Sequence, residues 1–244
     1  MSYGKYVPVA ERRARAAYAI AKMRANGPPV KPVKISGRGI SHTFWGKAWC
    51  ENLESFSDFA SRLPRGRTYA RNGSVMDLQI SEGLITALVA GSTLYTVNLR
   101  VSPLPEPIWD SVLDQCAGKI SSVVELLSGK LSKGVMDVVA RPREGLFPTP
   151  TEIQLSCDCP DWASMCKHVA AALYGVGARL DHEPETLFLL RGRDASVLVA
   201  AAIARGAQRQ TNSHGKVLKS DDLASIFGVD IDFDFELPAR PTGT

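Results

Sequence analysis

Long apolar segments are absent from this sequence of 244 residues, in which the longest uninterrupted apolar run covers the eight residues from Val197 to Ala204. A helix that spans a membrane needs about 20 such residues, so the sequence predicts a soluble protein with no membrane partner. The first ten residues also lack the apolar core of a secretory signal peptide, which predicts a cytoplasmic location.

Sequence signatures of the common enzyme classes are missing as well. The chain contains no phosphate-binding loop of the form GxxxxGK followed by Ser or Thr. It also shows no Ser, His and Asp in the order of a catalytic triad, and no pair of carboxylates in a recognisable catalytic motif. We therefore expect a protein that is not an enzyme and, in particular, does not itself hydrolyse ATP.

Acidic residues are almost absent from the first fifty residues. This stretch holds ten Lys or Arg residues and a single acid, Glu11, which gives a net charge of +9, whereas the other 194 residues carry −5. A basic arm ahead of a mildly acidic body is typical of a protein that binds a polyanion such as DNA or RNA. A basic tail that only raises solubility is the alternative.

The N-terminal part of the chain predicts two helices separated by an extended linker. The Ala-rich stretch from Glu11 to Arg24 favours a helix, and Asn-Gly-Pro-Pro at 26–29 ends it. Pro, Lys and Gly alternate from Val30 to Gly39, which is typical of an extended linker. A second helix is predicted within 42–59, where large apolar residues recur at steps of four, four and three: Trp45, Trp49, Leu53 and Phe56. Aromatic side chains at this spacing are expected in the core.

Three strand-like segments follow and predict an antiparallel meander. They are Val75–Ile80, Leu84–Ala90 and Leu94–Val101, and glycine-containing pairs separate them at hairpin spacing. Three arginines lead into the first strand and extend the basic surface: Arg65, Arg67 and Arg71. Helices are predicted farther on at Trp109–Cys116, Ile120–Leu127, Gly134–Val139, Val169–Leu180, Pro184–Leu190 and Ala195–Ala204. The polar stretch from Gly206 to Gly215 is expected to be loose.

Three of the five cysteines lie within ten residues, next to a histidine. The stretch from Cys157 to His168 reads Cys-Asp-Cys-Pro-Asp-Trp-Ala-Ser-Met-Cys-Lys-His, so four donors follow the spacing C-x-C-x6-C-x-H. Residues two apart in an extended chain point the same way, so Cys157 and Cys159 can hold one ion. Cys166 and His168 lie where the next predicted helix begins, and a helix N-terminus favours thiolates. Four such donors suit one tetrahedral Zn²⁺.

The alternatives to a structural zinc site are weaker. A disulfide between Cys157 and Cys159 would close a strained ring in a reducing compartment. A catalytic zinc needs an open coordination position, but four ligands are available here and no Glu lies two residues after the histidine. The sequence therefore predicts one structural Zn²⁺, and the remaining cysteines, Cys50 and Cys116, are expected to be buried thiols.

The motif resembles the SWIM zinc finger. The resemblance is carried by Cys157-x-Cys159-Pro160-Asp161, by Cys166-Lys167-His168 and by an Ala-rich helix that ends on Leu173-Tyr174. Met165 stands where family members often have Pro. The resemblance implies zinc ligation by Cys157, Cys159, Cys166 and His168, and a role in DNA or protein interaction. Bacterial members of the family are associated with SWI2/SNF2-type helicase-like ATPases, so such an ATPase is a candidate partner.

Together these observations predict an α+β protein in five segments: a basic helical arm and linker (1–40), an α+β domain with a three-stranded meander (41–140), a SWIM zinc finger (141–182), a helical region (183–215) and an acidic-hydrophobic tail (216–244). The tail alternates acidic and apolar residues, as in an edge strand or in a segment that orders on a partner.

Two functions stay open at this point. In the first, the protein is an accessory module that binds DNA or RNA through its basic arm, in the cytoplasm and with the nucleoid as a further location. In the second, it is an adaptor that docks onto a SWI2/SNF2-type ATPase without contacting DNA. The candidate nucleic-acid contacts are Arg12, Arg13, Arg15, Lys22, Arg24, Lys31, Lys34, Arg38 and Lys167.

Overall fold

An antiparallel sheet of four strands organises the fold, with the strands in the order β1-β2-β3-β4. The strands are β1 (Val75–Ser81), β2 (Leu84–Ala90), β3 (Leu94–Val101) and β4 (Ile153–Cys157). The first three strands confirm the predicted meander, and Gly83 makes the first hairpin turn with a φ of 62°. The computed structural model describes residues 7–23, 29–56, 60–163 and 165–213.

Helices precede and follow the sheet. They are α1 (Val9–Met23), α2 (Phe44–Glu54), α3 (Leu63–Arg71), α4 (Glu106–Cys116), α5 (Val123–Ser128), α6 (Lys133–Val139), α7 (Lys167–Leu180), α8 (Glu185–Leu190) and α9 (Ala195–Ser213). A short 3₁₀ turn at Pro150–Glu152 leads into β4. The structure therefore confirms the α+β class, and none of its described helices is long and apolar enough to cross a membrane.

The aromatic face predicted for the second helix lies in the core. Trp45 and Trp49 of α2 are almost fully buried. Their indole N–H groups donate to the carbonyl oxygens of Leu126 and Leu173 at 3.0 and 2.8 Å. A buried indole keeps its N–H hydrogen-bonded in this way, which fixes α2 against two other elements.

Helix α7 is the central helix of the protein. Twelve of its 14 residues are buried, because its Ala and Gly residues let neighbouring helices approach closely. A Cβ atom placed on Gly66 of α3 would lie 2.3 Å from Cβ of Ala170, and one placed on Gly46 of α2 would lie 2.4 Å from the carbonyl oxygen of Gly177. Helices α2 and α3 therefore pack backbone to backbone on α7, and this packing places α3 beside the N-terminus of α7.

Three parts of the structure differ from the sequence-based prediction. Strand β4 and helix α3 were not predicted. The stretch from Gly206 was expected to be loose, which is wrong as far as Ser213, because α9 continues to that residue. A Cβ atom on Gly206 would lie 2.5 Å from Cα of Gly118, so this glycine allows a close contact between backbones and does not end the helix.

The segment predicted as a linker is extended, and the edge of the sheet holds it in place. The backbone N–H of Val33 donates to the carbonyl oxygen of Val75, and that of Leu78 donates to the carbonyl oxygen of Lys31. The Val33 side chain is buried. The linker thus adds a short row of hydrogen bonds to the outer edge of β1.

The chain divides into two compact units, Met1–Gly206 and Ala207–Thr244. The sheet, helices α1 to α8 and the metal centre belong to the first unit, and its hydrophobic core continues across the segment boundary predicted at residue 141. The predicted tail at 216–244 and the candidate contact Arg24 lie outside the described residues.

Candidate metal centre

The end of one strand and the start of one helix bring the four predicted ligands together. Cys157 is the last residue of β4, and Cys159 follows two residues later. Cys166 is the N-cap of α7, and His168 lies in its first turn. Because β4 pairs with β3, with Cys157 opposite Val97, the sheet holds the first two cysteines beside the start of α7.

The donor atoms of these residues converge on one point. The three Sγ atoms and a ring nitrogen of His168 all lie within 4.8 Å of one another. Nδ1 of His168 is 3.9 Å from Sγ of Cys157 and 3.9 Å from Sγ of Cys166. Sulfur atoms bound to a tetrahedral zinc at about 2.3 Å are about 3.8 Å apart, so the four donors fit one Zn²⁺.

Electrostatics make Cys166 the most acidic thiol of the group. Its pKa is lowered to about 3, first by a hydrogen bond from the Cys157 thiol, while burial opposes the shift. His168 and the backbone N–H of Val169, 3.4 Å from the Cys166 sulfur, add to the lowering. The same thiol–thiol hydrogen bond raises the pKa of Cys157, and burial raises that of Cys159. Because cysteine binds zinc as the thiolate, metal binding releases protons from this group of thiols.

Aromatic packing fixes the imidazole of His168. The Tyr95 ring is stacked on it with centroids 4.2 Å apart, and the Tyr69 ring meets it edge-on at 5.5 Å. Nε2 of His168 is buried and has no hydrogen-bond partner among the described residues. A Cβ atom on Gly91 would lie 3.0 Å from this nitrogen. The ring is thus held with Nδ1 towards the sulfurs, and sequence reasoning missed the residues that hold it because they lie about 70 or more positions away in the chain.

Four ligands leave no open coordination position at this centre. Within the described part of the chain, Cys157, Cys159, Cys166 and His168 are the only group of His, Cys, Asp or Glu side chains arranged to hold a metal ion. A zinc site filled by four protein side chains is structural, because a catalytic zinc keeps one position for water or substrate. The geometry therefore suits one structural Zn²⁺ that joins β4 to α7.

Comparison with known proteins agrees with this geometry. A family model described as SWIM zinc finger matches residues 151–176, which include all four ligands. An uncharacterized protein of Mycobacterium tuberculosis, Rv2102, is 37% identical over 194 residues, which cover 74% of this chain and 70% of that protein. The chain belongs to the SWIM zinc finger family. No solved structure matches it.

The SWIM finger is anchored to the rest of the fold on both sides of Cys159. The backbone N–H of Thr96 in β3 donates to Oδ1 of Asp158 at 3.0 Å. On the other side, Asp161 accepts from the backbone N–H of Ala163 at 3.3 Å, which stabilises the turn that follows Cys159. Nη2 of Arg62 lies 3.3 Å from the same carboxylate. The finger loop is therefore tied to β3 and to the start of α3.

The predicted nucleic-acid contacts are spread over α1, the extended segment and the finger. Six of them are exposed: Arg13, Arg15, Lys22, Lys31, Lys34 and Arg38. Arg12 is half-buried, and Arg15 is paired with Glu11 one helical turn away. Lys167 is half-buried, and its Nζ lies 5.8 Å from the centroid of the Tyr69 ring. Their role in binding stays a prediction.

Proposed function

We propose that this protein is a non-enzymatic accessory protein that binds nucleic acid and whose fold is stabilised by one zinc ion. The observation that carries the proposal is the exposed positive charge of α1 and the extended segment. Arg13, Lys34 and Arg38 form no ion pair with another described residue. Cations that no acid neutralises are available for phosphate groups, and they give an affinity that falls with salt.

The SWIM finger supports this proposal indirectly. Its zinc joins β4 to α7, and α7 in turn supports α3, whose residues Leu63–Arg71 include three arginines and no acid. A closed metal site offers no position for a substrate, which favours binding over catalysis. Three cysteines placed to bind zinc and two buried thiols, Cys50 and Cys116, fit a reducing compartment, so the proposed location is the cytoplasm, at the nucleoid.

Salt dependence of binding tests the proposal. The zinc-loaded full chain is titrated with random-sequence DNA at increasing salt, and the logarithm of affinity should fall linearly with that of salt concentration. The double variant Arg13→Gln and Lys34→Gln should bind DNA of any sequence more weakly. The magnitude of the slope of log affinity against log salt concentration should fall by about two. Point substitutions are preferred to removal of the arm, because Val33 is buried and bonded to β1.

A matched control removes the same charge elsewhere. Lys130→Gln with Lys133→Gln changes two exposed lysines, one in the connection before α6 and one at its start, and should leave the affinity and the slope nearly unchanged. Equal losses of DNA affinity in both double variants would show that only the net charge matters, and would contradict a localised binding site. No binding at low salt, with co-purification of a SWI2/SNF2-type ATPase, would instead establish the adaptor function.

A further inference from the structure

A cleft lined by cations lies at the C-terminal end of α3. Three neighbouring cavities of about 460, 210 and 320 Å³ meet at Asn72, the C-cap of this helix. Four cationic side chains line them: Arg12, Arg13, Lys34 and Arg71. Among the described lining residues there is no Asp or Glu. A concave surface of this charge suits a phosphate group.

Two arginines of α1 face this cleft without an acidic partner among the described residues. The Nε of Arg12 is buried and has no acceptor in that part of the chain. The guanidinium of Arg13 lies over Gly73, since a Cβ atom on that glycine would be 3.2 Å from its Cζ. Because no acid of the described residues lies beside them, the guanidinium groups of Arg12 and Arg13 are available to an anion in the cleft.

An exposed tryptophan lies near the other end of α3. Trp162 is 102% exposed, whereas Trp45, Trp49 and Trp109 are at most 4% exposed. It follows Asp161, whose carboxylate is bonded to Arg62, the N-cap of α3. An indole left wholly in water, on a loop between zinc ligands, is available to stack on a flat apolar ring.

Helix α3 connects the two features. Its nine residues rise about 13 Å, so a short stretch of one extended strand can reach both ends. Arg65 is exposed between its two ends and has no ion pair in the described part of the chain. Arg62 is paired with Asp161 and Arg67 with Glu54, so among the described residues Arg65 and Arg71 carry the unpaired positive charge of α3.

We infer that this surface binds single-stranded nucleic acid, with phosphates in the cleft of Arg12, Arg13, Lys34 and Arg71 and an unstacked base on Trp162. The inference rests on the proposed function and names its substrate class. A duplex keeps its bases stacked on one another, so an indole on the protein surface gains a base only from a single strand. A protein partner could offer aromatic or apolar contacts to Trp162. Such contacts would not explain why a cleft lined by four cations lies at the other end of α3.

Tryptophan fluorescence tests the inference. The zinc-loaded full chain is titrated with an oligothymidylate of about 16 nucleotides and with a duplex of the same length. The single strand should bind more tightly and quench the emission, because three of the four tryptophans are buried. Trp162→Ala should lower the single-strand affinity about tenfold and remove the quenching, and Trp162→Phe should retain part of the affinity. Arg71→Gln should weaken binding and lower the salt slope by about one.

Controls separate the failure of this inference from failure of the proposed function. Tyr18→Ala removes another exposed aromatic ring, on α1, and should leave single-strand affinity unchanged. Trp162→Ala should keep its zinc and its unfolding temperature. If duplex and single strand bind equally and Trp162→Ala changes neither, the inference is wrong while the proposed function holds. If neither nucleic acid binds, both the inference and the proposed function are wrong. If Trp162→Ala loses only the binding of a protein partner and keeps its affinity for single strands, the inference is wrong.

Discussion

A buried ion pair supports the finger beside the metal ligands. Arg191 is 1% exposed, and its Nη2 lies 2.7 Å from Oε1 of Glu152, the residue before β4. Its Nη1 donates to the carbonyl oxygen of Ser102, next to the end of β3. Burial opposes ionisation of Glu152, but the backbone N–H of Thr149 and the Arg191 guanidinium outweigh it and lower the pKa of Glu152 below its ordinary 4.5. This pair thus ties the start of β4 to α8.

Substitution of Glu152 should make the pH dependence of stability visible. Because its folded-state pKa is lowered, the carboxylate stabilises the fold above pH 4.5, and this contribution is lost as the pH falls through the folded-state pKa. Glu152→Gln should cost about 3 kcal/mol near neutral pH, since Arg191 stays buried, and the difference from wild type should shrink in acid. Urea unfolding at several pH values measures this.

The matched control is an ion pair on the surface. Glu144 lies 3.5 Å from Arg141, and 68% of its side chain is exposed. Glu144→Gln should change the free energy of unfolding by less than about 1 kcal/mol at any pH. Equal effects of the two substitutions would show that burial of Arg191 has no energetic consequence.

At the scale of the element, close packing of α3 on α7 makes a single glycine decisive. A Cβ atom on Gly66 would approach Cβ of Ala170 to 2.3 Å and the backbone N of Ala171 to 2.9 Å. Backbone atoms cannot rotate away, so Gly66→Ala should destabilise the protein by about 1–3 kcal/mol, measured by thermal or urea unfolding.

Gly134 provides the control for this substitution. It lies in α6, and a Cβ atom placed on it would have no described atom within 4 Å beyond its own neighbourhood in the helix. Gly134→Ala should be neutral or stabilise the protein by up to about 1 kcal/mol, because alanine has the higher helix propensity. Destabilisation by Gly134→Ala equal to that of Gly66→Ala would contradict the packing argument.

The elements that the sequence predicts are those with local signals. Alternating apolar residues and Gly83 in the turn predict β1 to β3, and Trp45 and Trp49 predict the buried face of α2. Helix α3 has no such signal, because its buried residues are few and include Gly66 and Ala70. Its helical form depends on contact with α7, which lies about 100 residues away.

Strand β4 was missed for a related reason. Its five residues pair with β3 across about 50 positions of sequence, and only that pairing makes the segment a strand. The four zinc donors, by contrast, were predicted in full, because their spacing is local. Tyr69 and Tyr95, which hold His168, come from distant elements and no local pattern indicates them.

At the scale of the whole molecule, the zinc site connects the sheet to the central helix. Removal of zinc by a strong chelator should destabilise the fold by several kcal/mol, because the free energy of metal binding is then lost from folding. Cys166→Ala should destabilise the fold in the same way. The purified variant should contain less than one equivalent of zinc per chain. Elemental analysis measures the zinc content, and circular dichroism followed during unfolding measures the stability.

Cys116→Ala is the matched control for this prediction. Cys116 is also buried, and burial raises its pKa to about 11, but it lies on α4 away from the four ligands. The Cys116→Ala variant should keep one zinc per chain. Added Zn²⁺ should restore the stability of the chelated wild type but not that of Cys166→Ala. A chelated protein with an unchanged unfolding temperature would contradict the structural role of the metal.

The extended segment that follows α1 also affects how copies of the protein meet one another. A free sheet edge offers unpaired backbone groups to a second chain and favours aggregation. Here the backbone of Lys31 and Val33 occupies part of the outer side of β1, and the opposite edge strand, β4, is only five residues long and ends on the zinc ligand Cys157. The same basic segment that supplies Lys34 to the cleft thereby protects the sheet from pairing with another copy.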